Sequence, residues 1–410
     1  MAGRNTRFLF IRHILFSTGS KFPPTKTNSF SNPKTTTTTS TIKQRQTHST
    51  TSTLNPTTDQ PKMQSPPLPV REHALINLAA DLPTTPATPT ITLTPITLTV
   101  PSRPVPLQLR LTLPAPTATD PTTETLPKPL PLILLSHGQG ASTSLSSLHG
   151  YAPLANHWAS HGFAVIQPTH LSSKTLSLPA STPGAPLFWR ERVQDMKIIL
   201  ESLGEIEGVA GGFLRGGGAA GVGFDRGRVA VVGHSMGAHT AGVLLGMEVR
   251  DPESGEMIDS LAERDRIQAG ILLAGLGDGG DDSLSEWGRA NLPFHRGVGF
   301  GGMRAPCLVV VGDADESAHL TTRGWKWHAD PYYLAPGPKS LLTLFGGDHC
   351  FGVSGYDAKE TVGESVERVA AVQRVTTAYL RSVLCGDDEG WRGTAEALES
   401  VASIGVVENK

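Results

Sequence analysis

The pentapeptide Gly-His-Ser-Met-Gly at 233–237 sets one serine between two glycines, after the apolar run Val229–Val232 and ahead of the small-residue stretch Ala238–Gly242. A strand that turns at once into a helix lifts the side chain at the turn clear of the sheet edge, in a strained backbone conformation. Glycines belong on both sides, because a Cβ there would collide as strand and helix pass each other. Alone the pentapeptide is a weak signal, and its place between an apolar strand and a small-residue helix makes Ser235 a candidate nucleophile. A serine hydroxyl is a poor nucleophile until a base takes its proton. LLTLFGGDHCFGVSGYD (341–357) supplies one, since His349 follows a strand and a glycine pair and is the only one of 14 histidines placed just past the final predicted strand. His234 is predicted to point the wrong way out of the turn, and His137, His239 and His328 to pack or make structural hydrogen bonds.

The base needs an acid to orient it and to stabilise its protonated form. CLVVVGDADES (307–317) ends a strand with Asp313 and Asp315, and Asp315 is preferred because it stands on the loop rather than at the strand's end. Asp278, in LLAGLGDGGDD (272–282), is the rival one strand earlier. The negative charge of a tetrahedral intermediate needs backbone N–H donors. Met236, next after the serine, offers one; the other is expected from Gln139 in LPLILLSHGQGAS (130–142), where Gly138 and Gly140 keep the backbone open.

The elements that would carry these residues are legible as patterns. LPLILLS (130–136), FAVIQPT (163–169), RVAVVG (228–233), AGILLAG (269–275), CLVVVGD (307–313) and SLLTLFG (340–346) are short, nearly continuous apolar runs, the form of strands covered on both faces. FWRERVQDMKIILESLGEIE (188–207) and ESVERVAAVQRVTTAYLRSVL (364–384) carry apolar residues on one helical face. Strands alternating with helices predict an α/β fold, a mostly parallel central sheet with helices on both faces. TITLTPITLTV (90–100) and VPLQLRLTLPA (105–115) alternate at period two, and their prolines confine them to an edge, so they read as an N-terminal antiparallel strand pair.

At 410 residues the chain has length for one large core, and 35 Lys+Arg against 37 Asp+Glu point to neither nucleic acid nor an anionic surface as main partner. Three cysteines, Cys307, Cys350 and Cys385, have no metal-type spacing, and no apolar stretch reaches membrane-spanning length. Residues 1–22 are Arg-rich and acid-free, the make-up of a mitochondrial transit peptide, with an unaddressed tail of a cytoplasmic protein as the alternative. Residues 23–70 read as a disordered Ser/Thr/Pro-rich linker, 71–390 as the catalytic domain and 391–410 as a C-terminal tail. GGGAAG (216–221) and GVGFGG (297–302) have dinucleotide-loop spacing but precede strands instead of following them, so no cofactor and no metal are expected.

The SHGQG, GHSMG, GDADES and GGDHCFG loops together resemble the α/β-hydrolase superfamily, most closely its dienelactone-hydrolase, chlorophyllase-like and platelet-activating-factor-acetylhydrolase-like branch, over roughly residues 85–385. The resemblance implies the α/β-hydrolase fold and a Ser235–His349–Asp315 triad acting on lipid-like or short-chain esters. Dienelactone hydrolases proper use cysteine where this chain has Ser235, and acetylhydrolases of the plasma type take their acid after the earlier strand, which keeps Asp278 in play. A non-catalytic binding protein on the same fold, or an acyltransferase using the same triad, are the competing expectations. The long aromatic stretches SEWGRANLPFHRGVGFGG (285–302) and WKWHADPYY (325–333) are placed to line an acyl pocket or to pack beneath it.

Overall fold

The computed structural model describes residues 84–115, 129–139, 148, 150–215, 223–355, 366–401 and 403–410, all within one compact unit, Pro66–Lys410. The transit-peptide and linker expectations, Gly140 and the 216–221 glycine run lie outside the described residues. Nine strands form one sheet in the order β1-β2-β4-β3-β5-β6-β7-β8-β9. They are β1 (Thr90–Leu98), β2 (Leu107–Pro114), β3 (Leu130–Ser136), β4 (Ala164–Pro168), β5 (Phe224–His234), β6 (Ala269–Leu273), β7 (Cys307–Gly312), β8 (Lys339–Leu344) and β9 (Gly405–Asn409). The pairings from β4 through β3 and β5 to β8 are parallel, and β1 and β2 form the expected leading antiparallel pair. β1 is the edge strand, and its register shifts between Leu93 and Ile96, at Pro95, where no ladder N–H is available. This is the α/β-hydrolase fold.

Both faces of the sheet are covered, which is why its central strands are apolar at every position. Leu132, Leu134, Ile166 and Val231 pack against Val193, Met196 and Ile199 of α2 (Trp189–Glu201) and Ala238 and Ala241 of α4 (Met236–Leu244). Ile133, Leu135, Val165, Val232 and Ile271 face the other way, onto Leu154 and Trp158 of α1 (Ala152–Ser160) and Val372 and Val375 of α7 (Val366–Cys385). The 188–207 stretch is not one helix. It breaks at Ser202, whose N–H caps Ile198 and Ile199, and resumes as α3 (Leu203–Arg215), the Ser-Leu-Gly sequence being a weak helix former.

Residues 391–410 are not a tail. Most of α8 (Asp388–Ser400) and all of β9 fall there; Leu398 is buried in the core, and β9 pairs antiparallel with β8, closing the edge that β8 would otherwise expose. Two short helices, α5 (Glu286–Asn291) and α6 (Asp330–Leu334), lie in the connections that follow β6 and β7.

Candidate active site

Ser235 sits between the last residue of β5 and the first of α4, with φ 54° and ψ −118°. A non-glycine residue in that region costs about 1–3 kcal/mol and persists only where its surroundings impose it. Here they do. The Ser235 N–H donates to the Leu273 carbonyl at 2.8 Å on the neighbouring strand. A Cβ on Gly233 would stand 1.9 Å from the Gly237 oxygen, and one on Gly237 would stand 2.1 Å from the Ser136 oxygen on β3. Both glycines are therefore required by close approach of backbones. Met236 is the first residue of α4, so its N–H is among those a helix start leaves without an intrahelical partner.

His349 stands on the loop after β8 and Asp315 on the loop after β7. The His349 Nδ1 lies 2.7 Å from Asp315 Oδ2, which makes Nδ1 the donor and leaves Nε2 as the acceptor nitrogen. Asp315 is 4% exposed and takes two further contacts, Ser317 Oγ donating to Oδ1 at 2.7 Å and His328 Nε2 at 3.1 Å from Oδ2. Burial disfavours the charged carboxylate, but the two imidazoles beside it, with the His349 hydrogen bond, outweigh it and hold Asp315 well below the usual carboxylate range. The other two acids are occupied elsewhere. Asp313 accepts from the Gly346 N–H at 2.6 Å and so ties the two loops together. Asp278 accepts from Ser283 Oγ at 2.8 Å and the Gly280 N–H at 3.2 Å.

The loop carrying Gln139 is braced from below by residues that the sequence did not single out. Arg192 of α2, wholly buried, donates to the carbonyls of His137 at 2.6 Å and Gly138 at 3.0 Å, and to Gln139 Oε1 at 3.2 Å. Burial lowers the guanidinium only to about 10, so it stays charged at neutral pH. A second brace runs from this loop to the histidine loop. The Gly138 N–H donates to Tyr151 Oη at 2.9 Å, the Tyr151 hydroxyl donates to His234 Nδ1 at 2.8 Å, and His234 Nε2 donates to the His349 carbonyl at 2.7 Å. Burial, and then the nearby His349 charge, hold His234 at about 3, so it is neutral and a single tautomer serves both contacts. No sequence spacing announces Arg192, Tyr151 or His328, since each acts on a residue far away in the chain.

Ser235, Met236, Gln139 and His349 line one pocket of about 270 Å³, walled by Leu187, Leu276, Leu292, Leu320 and Trp287, with His319 at its side. The first aromatic stretch thus supplies Trp287 and Leu292. The second, 325–333, supplies no lining residue: Trp327 is fully buried behind the wall against Met236, Leu276 and Phe294, its indole N–H on the Asp278 carbonyl at 2.8 Å. A larger open groove of about 660 Å³ lies between β1, α1 and α7 and contains none of these residues. No helix among the described residues is long and apolar enough to cross a membrane.

No protein-family model matches the sequence, and none of the curated proteins matches it. Solved structures do match by shape. A ferulic acid esterase from Streptomyces cinnamoneus is 19% identical, over 74% of this chain and 92% of that one, with a TM-score of 0.46. A Pyrobaculum calidifontis esterase is 17% identical over 76% and 89% at TM-score 0.44, and a dienelactone hydrolase from Anabaena variabilis is 14% identical over 72% and 99% at 0.42.

Proposed function

We propose that this α/β-hydrolase-fold chain is a serine hydrolase that cleaves carboxylic esters. The observation that carries the reading is the shared pocket: a strained serine and an imidazole open to the same apolar-walled cavity, with a buried carboxylate on the imidazole's far nitrogen. In this reading Ser235 Oγ attacks the ester carbonyl while His349 Nε2 takes its proton. The oxygen that gains charge is received by the N–H groups of Met236 and Gln139. The intermediate collapses, His349 returns the proton to the departing alcohol, and an acyl-Ser235 ester remains. Water, deprotonated by His349, attacks that ester and releases the acid. Asp315 keeps the imidazole in one tautomer and balances its charge when protonated.

Pocket size supports a small acyl group or a single aryl ring, because about 270 Å³ falls just below the roughly 300–1,000 Å³ typical of ligand pockets. The test is a panel of p-nitrophenyl esters of increasing acyl length, with fluorophosphonate labelling in parallel. The expected result is best turnover on short acyl chains, labelling at Ser235, and a loss of about 10⁴-fold or more in Ser235→Ala with labelling abolished. Unchanged turnover in Ser235→Ala removes the reading.

A further inference from the structure

We infer that Trp287 and His319 form an aryl-recognition site at the mouth of the Ser235 pocket, selecting neutral esters that carry an aromatic ring; the inference rests on the hydrolase reading above. The two rings come from different connections, Trp287 from α5 after β6 and His319 from the loop after β7, and both line the pocket. Their centroids are 5.6 Å apart and their planes cross at 64°. Two rings at that angle make a corner. A third ring entering it lies flat on one and edge-on to the other, the arrangements that aromatic quadrupoles favour. Trp287 is 48% exposed, a large apolar surface left uncovered, whereas Trp327 on the second aromatic stretch is fully buried.

The corner is held before any ligand arrives. Ser285 caps α5, its Oγ accepting from the Gly288 N–H at 2.9 Å and donating to the His319 carbonyl at 2.5 Å. The Ser285 N–H donates to the Leu320 carbonyl at 2.9 Å, and Thr321 Oγ1 donates to the Ser283 carbonyl at 2.6 Å. A Cβ on Gly288 would stand 2.4 Å from the Leu320 oxygen, so α5 lies directly against the 319–321 backbone. With both backbones fixed, only side-chain rotation of the two rings is left to be ordered on binding. The rest of the pocket sets the polarity of what enters. Its described lining residues include no acid, lysine or arginine, so a phosphate, a second carboxylate or an ammonium group would be desolvated without a counter-charge. Leu187, Leu276, Leu292 and Leu320 give the ring or its linker an apolar bed.

The test uses ester pairs matched in reactivity, with the ring kept out of conjugation: ethyl hydrocinnamate against ethyl hexanoate, and benzyl acetate against butyl acetate. The expected result is a kcat/KM about 3–10-fold higher for the ring-bearing member of at least one pair, carried by KM. The pair that shows it tells whether the acyl or the alcohol part enters the corner. In Trp287→Leu that ratio is expected to fall to about 1, in Trp287→Phe to stay within about twofold of the parent, and in His319→Leu to fall about two- to threefold. Equal rates within both pairs overturn the inference, as does a ratio that survives Trp287→Leu. A preference for acetylcholine over benzyl acetate overturns it too, since the rings would then be a cation site. Binding is read apart from turnover on Ser235→Ala, where the indole N–H resonance missing from the Trp287→Leu spectrum is expected to shift on addition of ethyl hydrocinnamate. No shift overturns the inference, whereas failure of the hydrolase reading shows separately as an unlabelled Ser235.

Discussion

Two Ser–His–Asp sets occur among the described residues, and the better-formed one is not the proposed site. Ser136, at the end of β3, has its hydroxyl 2.9 Å from His170 Nε2, and His170 Nδ1 lies 2.9 Å from Asp195 Oδ2. All three are buried, at 0%, 0% and 1% exposure. By contrast the His349 side chain is 33% exposed and Ser235 opens to a pocket. Burial, followed by the charges of Arg192 and Arg103, pushes His170 well below its ordinary range, so it cannot accept a proton at neutral pH. Burial likewise pushes Asp195 up to about 7 against the pull of Arg103, while Asp315 is held down. The lesson is that residue types at hydrogen-bond distance do not make a catalytic relay. A nucleophile must meet its substrate, and the base beside it must be able to carry charge.

The buried set has another task. The His170 N–H donates to His137 Nε2 at 3.1 Å, and Arg103 anchors Asp195 at 2.8 Å, so the trio supports the loop that Arg192 braces. The sharpest way to break the comparison is to neutralise the two acids. Asp315→Asn is expected to fold and to lose about 10⁴-fold in kcat, since the imidazole is left in the wrong tautomer. Asp195→Asn is expected to keep Ser235 labelling in whatever folds, while costing about 1–3 kcal/mol in denaturant unfolding, because one amide cannot serve both the Arg103 and the His170 contact. Equal losses of turnover at equal stability would erase the distinction. A smaller effect is expected from Arg192→Met, about 10–100-fold in kcat with KM little changed, as the loop bearing the Gln139 N–H loosens. Steady-state kinetics checks the split.

The mildest prediction concerns pH. Burial, aided by the neighbouring charge of His161 and then Arg374, holds His157 at about 3; burial and then His349 hold His234 there; burial holds His295 at about 4; all three titrate near 6.5 when unfolded. Asp195, raised to about 7, works the other way, but the three histidines outnumber it, so below about 6.5 the unfolded chain binds more protons, stability rises with pH through this window and it is lost as pH falls. The Asp315 contribution, from a depressed carboxyl, is present above the ordinary carboxylate range and goes only below about pH 4. The melting temperature is expected to drop by about 5–10 °C between pH 7 and pH 5, before Asp315 titrates at all. Calorimetry across that range checks the sign. A flat profile would mean that the buried histidines are partnered differently.

The extent to which all this is legible beforehand divides along a physical line. Central strands announce themselves because two covered faces demand apolar residues at every position, and β3 begins and ends where its run LPLILLS does. Gly233 and Gly237 announce the turn because only absent side chains fit there. The helix–strand pair at 388–409 is not legible in the sequence, because α8 buries few residues and β9 is a five-residue edge strand, with too little apolar pattern to stand out. Arg192 and Tyr151 have no signal at all, since their partners are brought to them by the sheet order rather than by spacing, while His328 is legible as a packing or hydrogen-bonding residue and is one, on the Gly275 carbonyl.

Local rules, then, suffice for what a residue imposes on its own neighbourhood: the periodicity of burial, the glycines that let backbones touch, and the order in which loops follow strands. Charge, exposure and shared partners belong to the folded object. Whether Ser136 or Ser235 faces a cavity, and which histidine can hold a proton, depends on desolvation and on electrostatic neighbours that only tertiary packing assembles.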